Sequence, residues 1–361
     1  MIPKKQIVDL PVYQPGKPIS EVTAELGLKE IVKLASNENP FGCSPRVKEA
    51  LQPLLDRLAY YPDGGSMELR AKLAAFLGVD EDRLIFGNGS DELLMLTTRA
   101  YLEPGLNTVM ATPTFSVYKT TSTVEGAEVI EVPLQDGRHD LPAMLAAIND
   151  KTRIVWICNP NNPSGTIVSE QELRQFLDQA PATTLVALDE AYYEYVTDAS
   201  YPQSLDLLNE YPNVIVYRTF SKIYGIAGLR MGYGVASADV IDKINRVREP
   251  FNTSSVAQTA AIAAIADQDF VNTCREVNDK GREQLYRGFD QLGLSYYRTQ
   301  GNFILVETGQ NGNEIFDALL KKGYIIRSGV PLGFPTSIRV TIGSEAQNAG
   351  FLQALGEVLA T

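Results

Sequence analysis

From about residue 66 onward, short apolar runs recur between helical segments: Leu84-Ile85-Phe86, Thr108-Val109-Met110, Val129–Val132, Ile154–Cys158, Leu185–Leu188 and Val214–Tyr217. Several are continuous. A strand wetted on one face alternates apolar and polar residues, whereas a continuous run needs cover on both faces. The intervening segments supply that cover. Ser66 precedes the amphipathic run Met67–Leu77, which Gly78 closes, and Ser169-Glu170-Gln171-Glu172 is a capping box opening Leu173–Ala180. This alternation predicts an α/β fold with a wound, mostly parallel sheet. After about residue 240 the pattern changes. One long helical region runs through Ala257–Ala266 and past Arg287, followed by strand-like Asn302–Val306 and Ser337–Thr341. The expected organisation is a large domain over 48–255, a smaller α/β domain over 256–361, and an N-terminal arm, 1–47, that completes the small one.

Composition excludes several classes of function. The 361 residues carry 32 Lys and Arg against 44 Asp and Glu, a formal net charge of −12. Without a basic run, that field opposes nucleic acid and anionic membranes. No apolar stretch reaches the length of a bilayer span, and the first eleven residues lack a signal-peptide core. Cys43, Cys158 and Cys274 are too scattered for a zinc site or a disulfide framework, so a cytoplasmic protein without a bound metal is expected. The single histidine, His139, sits in the polar stretch Gln135–Asp140 and reads as a solvated loop residue. Acid–base chemistry must then rest on Lys, Tyr, a carboxylate or a cofactor.

Ligands of open α/β sheets bind beyond the carboxyl ends of the strands. Gly87-Asn88-Gly89-Ser90-Asp91 follows the first apolar run, a turn suited to an anion or to a plain helix cap. Thr112-Pro113-Thr114-Phe115 follows the second, Asn159-Pro160-Asn161-Asn162-Pro163-Ser164-Gly165 the fourth and Asp189-Glu190-Ala191-Tyr192 the fifth. The last run leads into Ser221-Lys222 and then Gly228-Leu229-Arg230. Each alone is compatible with a turn, a cap or surface charge. As an ordered set, the Asn-Pro-Ser-Gly, Asp-Glu-Ala-Tyr, Ser-Lys and Gly-Leu-Arg motifs strongly resemble the fold-type I, pyridoxal-phosphate-dependent aminotransferases, along essentially the whole chain.

That resemblance implies a role for each residue type. Lys222 is the amine that joins the cofactor aldehyde and later shuttles a proton. Asp189 keeps the pyridine nitrogen protonated, because a nearby anion favours the charged ring. Asn162 and Tyr192 hydrogen-bond the ring's phenolic oxygen. Ser90, Asp91, Ser221 and Arg230 surround the cofactor phosphate, and Phe115 stacks on the ring or packs in the core.

Finer motifs narrow the resemblance. Lys33–Gly42, Tyr60-Tyr61-Pro62-Asp63, Ile325-Ile326-Arg327 and Ile338–Gly343 look like histidinol-phosphate aminotransferases. Those enzymes exchange an amino group between L-glutamate and imidazole-acetol phosphate in histidine biosynthesis; their other substrates are histidinol phosphate and 2-oxoglutarate. They are homodimers, and the tyrosine before the proline, here Tyr61, reaches the partner's cofactor phosphate. Arg339 would hold glutamate's α-carboxylate and, with Arg327, the phosphate of the other substrate. Tyr13 and Asn37 complete the implied substrate-binding set. An aromatic-amino-acid aminotransferase or a decarboxylase of a phosphorylated amino acid shares the pattern. A non-catalytic binding protein would not need Lys222.

Overall fold

The computed structural model describes residues 1–12, 16–28 and 30–360, so Tyr13 lies outside the described residues. The strands, in chain order, are β1 (Val32–Lys33), β2 (Leu84–Gly87), β3 (Asn107–Thr112), β4 (Glu128–Pro133), β5 (Thr152–Cys158), β6 (Leu185–Asp189) and β7 (Val214–Thr219). They continue with β8 (Gly232–Ala236), β9 (Ser295–Tyr296), β10 (Phe303–Glu307), β11 (Tyr324–Ile325), β12 (Arg327–Ser328) and β13 (Ser337–Thr341). Seven of them form one sheet in the order β2-β8-β7-β6-β5-β3-β4.

All the apolar runs named above are strands of this sheet. Their neighbours pair in parallel except at β8, which is antiparallel to both β2 and β7. The two-faced burial has a direct cause in side-chain alternation. Val155 and Ile157, Val186 and Leu188, and Val214 and Val216 enter one core. Their neighbours Ile154 and Trp156, Leu185 and Ala187, and Ile215 and Tyr217 enter the core on the opposite face. Each buried Val, Leu or Ile among them stabilises the fold by about 1.5–3 kcal/mol.

Strand β8 was not foreseen, because Gly232-Tyr233-Gly234-Val235-Ala236 carries glycines that weaken a strand reading. The fold needs one of them. A Cβ at Gly232 would collide with the backbone of Ser90, so only glycine lets β8 pass the start of the helix Ser90–Tyr101.

Beyond the large sheet, β12-β13-β10-β9 form an antiparallel sheet. The arm joins this part of the molecule: β1 pairs in parallel with β11, and Leu34 packs among Ile304, Ile326 and Val340. The expected single helical region is two helices, Ser255–Ile265 and Gln268–Gln291, with Asp267 capping the second by accepting from the Phe270 N–H. Ala257, Ala260, Ala261 and Ala264, together with Val271 and Cys274, belong to the core of the large sheet. Leu285 and Phe289, further along, belong to the small one. The helix Gln268–Gln291 therefore packs against both cores. The capping box at Ser169 and Glu172 forms. Ser66 does not cap its helix. It takes a left-handed backbone, and Asp63 Oδ2 accepts from the Met67 N–H at 2.7 Å instead.

Candidate active site

Asp189 ends β6 between Cys158 of β5 and Tyr217 of β7 in the ladder, at the carboxyl edge of the sheet. It is 3% exposed. Oδ2 accepts from the Tyr118 hydroxyl at 2.6 Å and Oδ1 from the Ala191 N–H at 3.2 Å. Burial pushes its carboxyl up to about 6, against the pull of the Tyr118 hydrogen bond. A carboxylate buried among neutral donors is a socket for a cationic group. Tyr118 itself stacks on Trp156 at 4.9 Å and meets the half-buried Phe115 edge-on at 5.6 Å. No local motif marked Tyr118. Its place three residues beyond Phe115, on the first turn of the helix Val117–Val124, is the only trace it leaves in the chain.

Lys222 follows β7 and is half-buried, its Nζ donating to the Ser36 carbonyl at 3.4 Å and lying 5.5 Å from the Tyr192 ring centre. Burial, then the nearby positive charge of Arg339, brings its ammonium down to about 8. About a tenth of it is then the free amine at neutral pH, far more than an ordinary lysine supplies.

Across the sheet end, Gly89 (φ +78) opens the helix Ser90–Tyr101. Arg230 also takes a left-handed backbone (φ +57), which folds its guanidinium over Gly89; a Cβ there would collide with it. Arg230 Nη1 lies 3.3 Å from Ser221 Oγ and Nη2 lies 3.4 Å from Asp91 Oδ2. Free N–H groups at a helix start, a hydroxyl and a guanidinium are the donor set of a phosphate cradle.

The third group joins the arm to the small sheet. Arg339, buried on β13, donates to Asn162 Oδ1 at 2.6 Å and to the Ala35 carbonyl at 2.8 Å. Arg327 on β12 stands directly opposite it in the strand register. Residues opposite each other in an antiparallel pair share one face, so the two guanidinium groups can serve one anion. Asn162 thus meets the arginine expected to bind substrate. Asn37, at φ +56, donates through Nδ2 to the buried Tyr192 hydroxyl at 2.9 Å. Its Oδ1 accepts from Thr341 at 3.1 Å and its carbonyl from Asn302 Nδ2 at 2.9 Å. Sequence reasoning missed Thr341 and Asn302, because their importance lies in touching Asn37, 304 and 265 positions away.

Tyr61 is apart from this cluster. It is 81% exposed and stacks on Phe251 at 4.8 Å. The expectation for His139 is overturned. Rather than solvated, it is 8% exposed, with Nε2 at 3.2 Å from Asn161 Oδ1, and burial brings it down to about 4. The stretch around it is polar, but the chain folds over the ring.

The family model for aminotransferase class I and II matches residues 29–355. A histidinol-phosphate aminotransferase of Geobacillus sp. (strain WCH70) is 58% identical over 356 residues, covering 99% of this chain and 98% of the relative. Another, of Brevibacillus brevis, is 56% identical over 359 residues, with 99% of each covered. The crystal structure of the histidinol-phosphate aminotransferase of Sinorhizobium meliloti in complex with pyridoxal-5'-phosphate superposes with a TM-score of 0.90 at 30% identity, covering 99% of this chain and 97% of that one. The large sheet with its edge of Asp, Lys and Arg and the full-length likeness agree: the chain belongs to the class I and II aminotransferases and, within them, to the histidinol-phosphate aminotransferase family.

Proposed function

We propose that this chain is a pyridoxal-phosphate-dependent aminotransferase that exchanges an amino group between L-glutamate and imidazole-acetol phosphate, the step yielding histidinol phosphate and 2-oxoglutarate in histidine biosynthesis. The residues fit the cofactor: a buried carboxylate at Asp189 suits a protonated ring nitrogen, and the Ser90, Ser221 and Arg230 cradle suits a phosphate. When bound, pyridoxal 5'-phosphate supplies an aldehyde that takes up amines and a ring that accepts electrons released at the substrate carbon. Lys222 would hold that aldehyde and carry the proton at Nζ, a task suited to an amine brought to about 8. Phe115 would bound one face of the ring, and Asn162 and Tyr192 would bear on its phenolic edge.

The observation that carries the substrate assignment is the opposition of Arg327 and Arg339 across β12 and β13. One pair of guanidinium groups suits both an α-carboxylate and a phosphate, so a single pocket serves both substrates in turn. Asn37 steadies Tyr192 beside them.

A homodimer is part of the reading. Leu55, Leu58, Tyr60, Tyr61 and Phe251 are large exposed apolar side chains, the last two stacked on each other, and exposed apolar groups of that kind suit a second copy that receives Tyr61. Among the described residues no helix is long and apolar enough to cross a membrane, and the three cysteines are free, which supports a cytoplasmic setting. Steady-state kcat/KM for histidinol phosphate against phenylalanine and tyrosine tests the reading. A large preference for the phosphorylated substrate is expected; equal values would move the chain to the aromatic-amino-acid aminotransferases.

A further inference from the structure

The only histidine of the chain sits at the junction of three loops. Asp136 and Gly137, both at positive φ, form a tight turn closed by reciprocal backbone hydrogen bonds between Gln135 and Arg138. The Gly137 carbonyl at its tip accepts from Ser164 Oγ at 2.7 Å and Thr166 Oγ1 at 2.6 Å. Immediately after His139, Asp140 caps the helix Leu141–Ala146. The ring is therefore held from both sides along the chain.

Its partner is Asn161, fully buried in the Asn159–Gly165 loop against the Thr112–Phe115 loop. The orientation of that amide follows from its neighbours. Nδ2 faces the Pro113 carbonyl at 3.4 Å, which can only accept, and Ser164 Oγ at 2.9 Å, whose proton is committed to Gly137. Oδ1 consequently faces Thr114 Oγ1 at 2.7 Å and His139 Nε2 at 3.2 Å and accepts from both. His139 must carry its proton on Nε2, leaving Nδ1 as a buried atom without a hydrogen-bond partner among the described residues.

We propose that His139, as the Nε2–H tautomer, is a positioning residue of the active site, holding Asn161 so that Phe115 and Asn162 keep their places. The next residue after Asn161 is Asn162, which accepts from Arg339. The following residue after Thr114 is Phe115, which abuts Tyr118 and through it Asp189. One imidazole thus braces both loops that border the cofactor pocket, and the substrate arginine beyond. The inference rests on the aminotransferase reading given above.

Two measurements test it. Because the chain has one histidine, protein labelled with 15N-histidine gives a single imidazole, readable without cofactor. The expected result is the neutral Nε2–H form throughout neutral pH. An Nδ1–H form, or protonation near the ordinary 6.5, would overturn the proposal. The second measurement compares His139→Leu with His139→Gln, whose amide can donate from near the Nε2 position. Cofactor binding to the cofactor-free protein is followed through fluorescence of Trp156, the only tryptophan. Leucine should weaken cofactor binding and raise KM for glutamate about 10-fold each, the worth of one buried hydrogen bond. Glutamine should stay within about 2-fold of wild type. If Leu, Gln and wild type coincide in both, the positioning role is refuted. An inactive wild type would instead refute the aminotransferase reading. If leucine prevents folding, Thr114→Val removes the other donor to Asn161 and must give the same pattern.

Discussion

Replacing Asp189 by asparagine should make the cofactor-free protein more stable while ending its use of the cofactor. The folded state holds this carboxyl at about 6 instead of the ordinary 3.8, and the group is almost wholly buried. Between those values the folded chain binds a proton that the unfolded chain has released. Stability therefore falls as pH rises through that window, and the full loss, about 3 kcal/mol, is present above it. Asparagine cannot ionise and escapes the loss. It can accept from either Tyr118 or the Ala191 N–H but not both, which returns about 1 kcal/mol. The net expectation is a variant about 2 kcal/mol more stable at pH 7 and slightly less stable at pH 4. Urea unfolding of both cofactor-free proteins, followed by Trp156 fluorescence at one protein concentration from pH 4 to 8, measures the difference. With saturating cofactor the order should reverse, since only the anion pairs with a protonated ring. A variant no more stable than wild type at pH 7, or a gap that does not change with pH, would refute the argument that burial without a cation strains this site.

The other predictions concern the remaining functional groups. Lys222→Ala should abolish transamination and borohydride trapping of the cofactor yet leave measurable cofactor binding; a trapped label on another lysine would defeat the assignment. In the cofactor-free protein, the reaction of Lys222 with small aldehydes should rise with a midpoint near pH 8, because burial and Arg339 disfavour its charged form, whereas a midpoint near the ordinary 10.5 would contradict this. Arg327→Ala should lower kcat/KM for histidinol phosphate more than for glutamate, and equal losses would make the arginine merely structural. Leu58→Glu should shift sedimentation from dimer to monomer and cost activity through Tyr61; an unchanged sedimentation coefficient would place the dimer contact elsewhere.

Much of the candidate site was legible because ligands of such sheets bind where strands end, and a strand end is visible in a linear chain. Asp189, Lys222 and Arg230 each close or follow an apolar run, and the structure gathers them at one edge of the sheet. Tyr118 was not legible, because a tyrosine on an ordinary helix acquires meaning only through the carboxylate it touches. Nor was the burial of His139, because polarity of its immediate neighbours says nothing about Asn161 arriving from another loop.

By itself the sequence determined the kind of sheet, the order of its runs and the side chains waiting at their ends. These follow from local alternation and from where apolar residues stop. Only tertiary structure decided that β8 runs antiparallel between β2 and β7, that Arg327 stands across from Arg339, and that the arm clamps Asn37 onto Tyr192 and Thr341. Those are contacts between distant segments, set by packing and hydrogen-bond satisfaction over the whole chain, and no window of neighbouring residues encodes them.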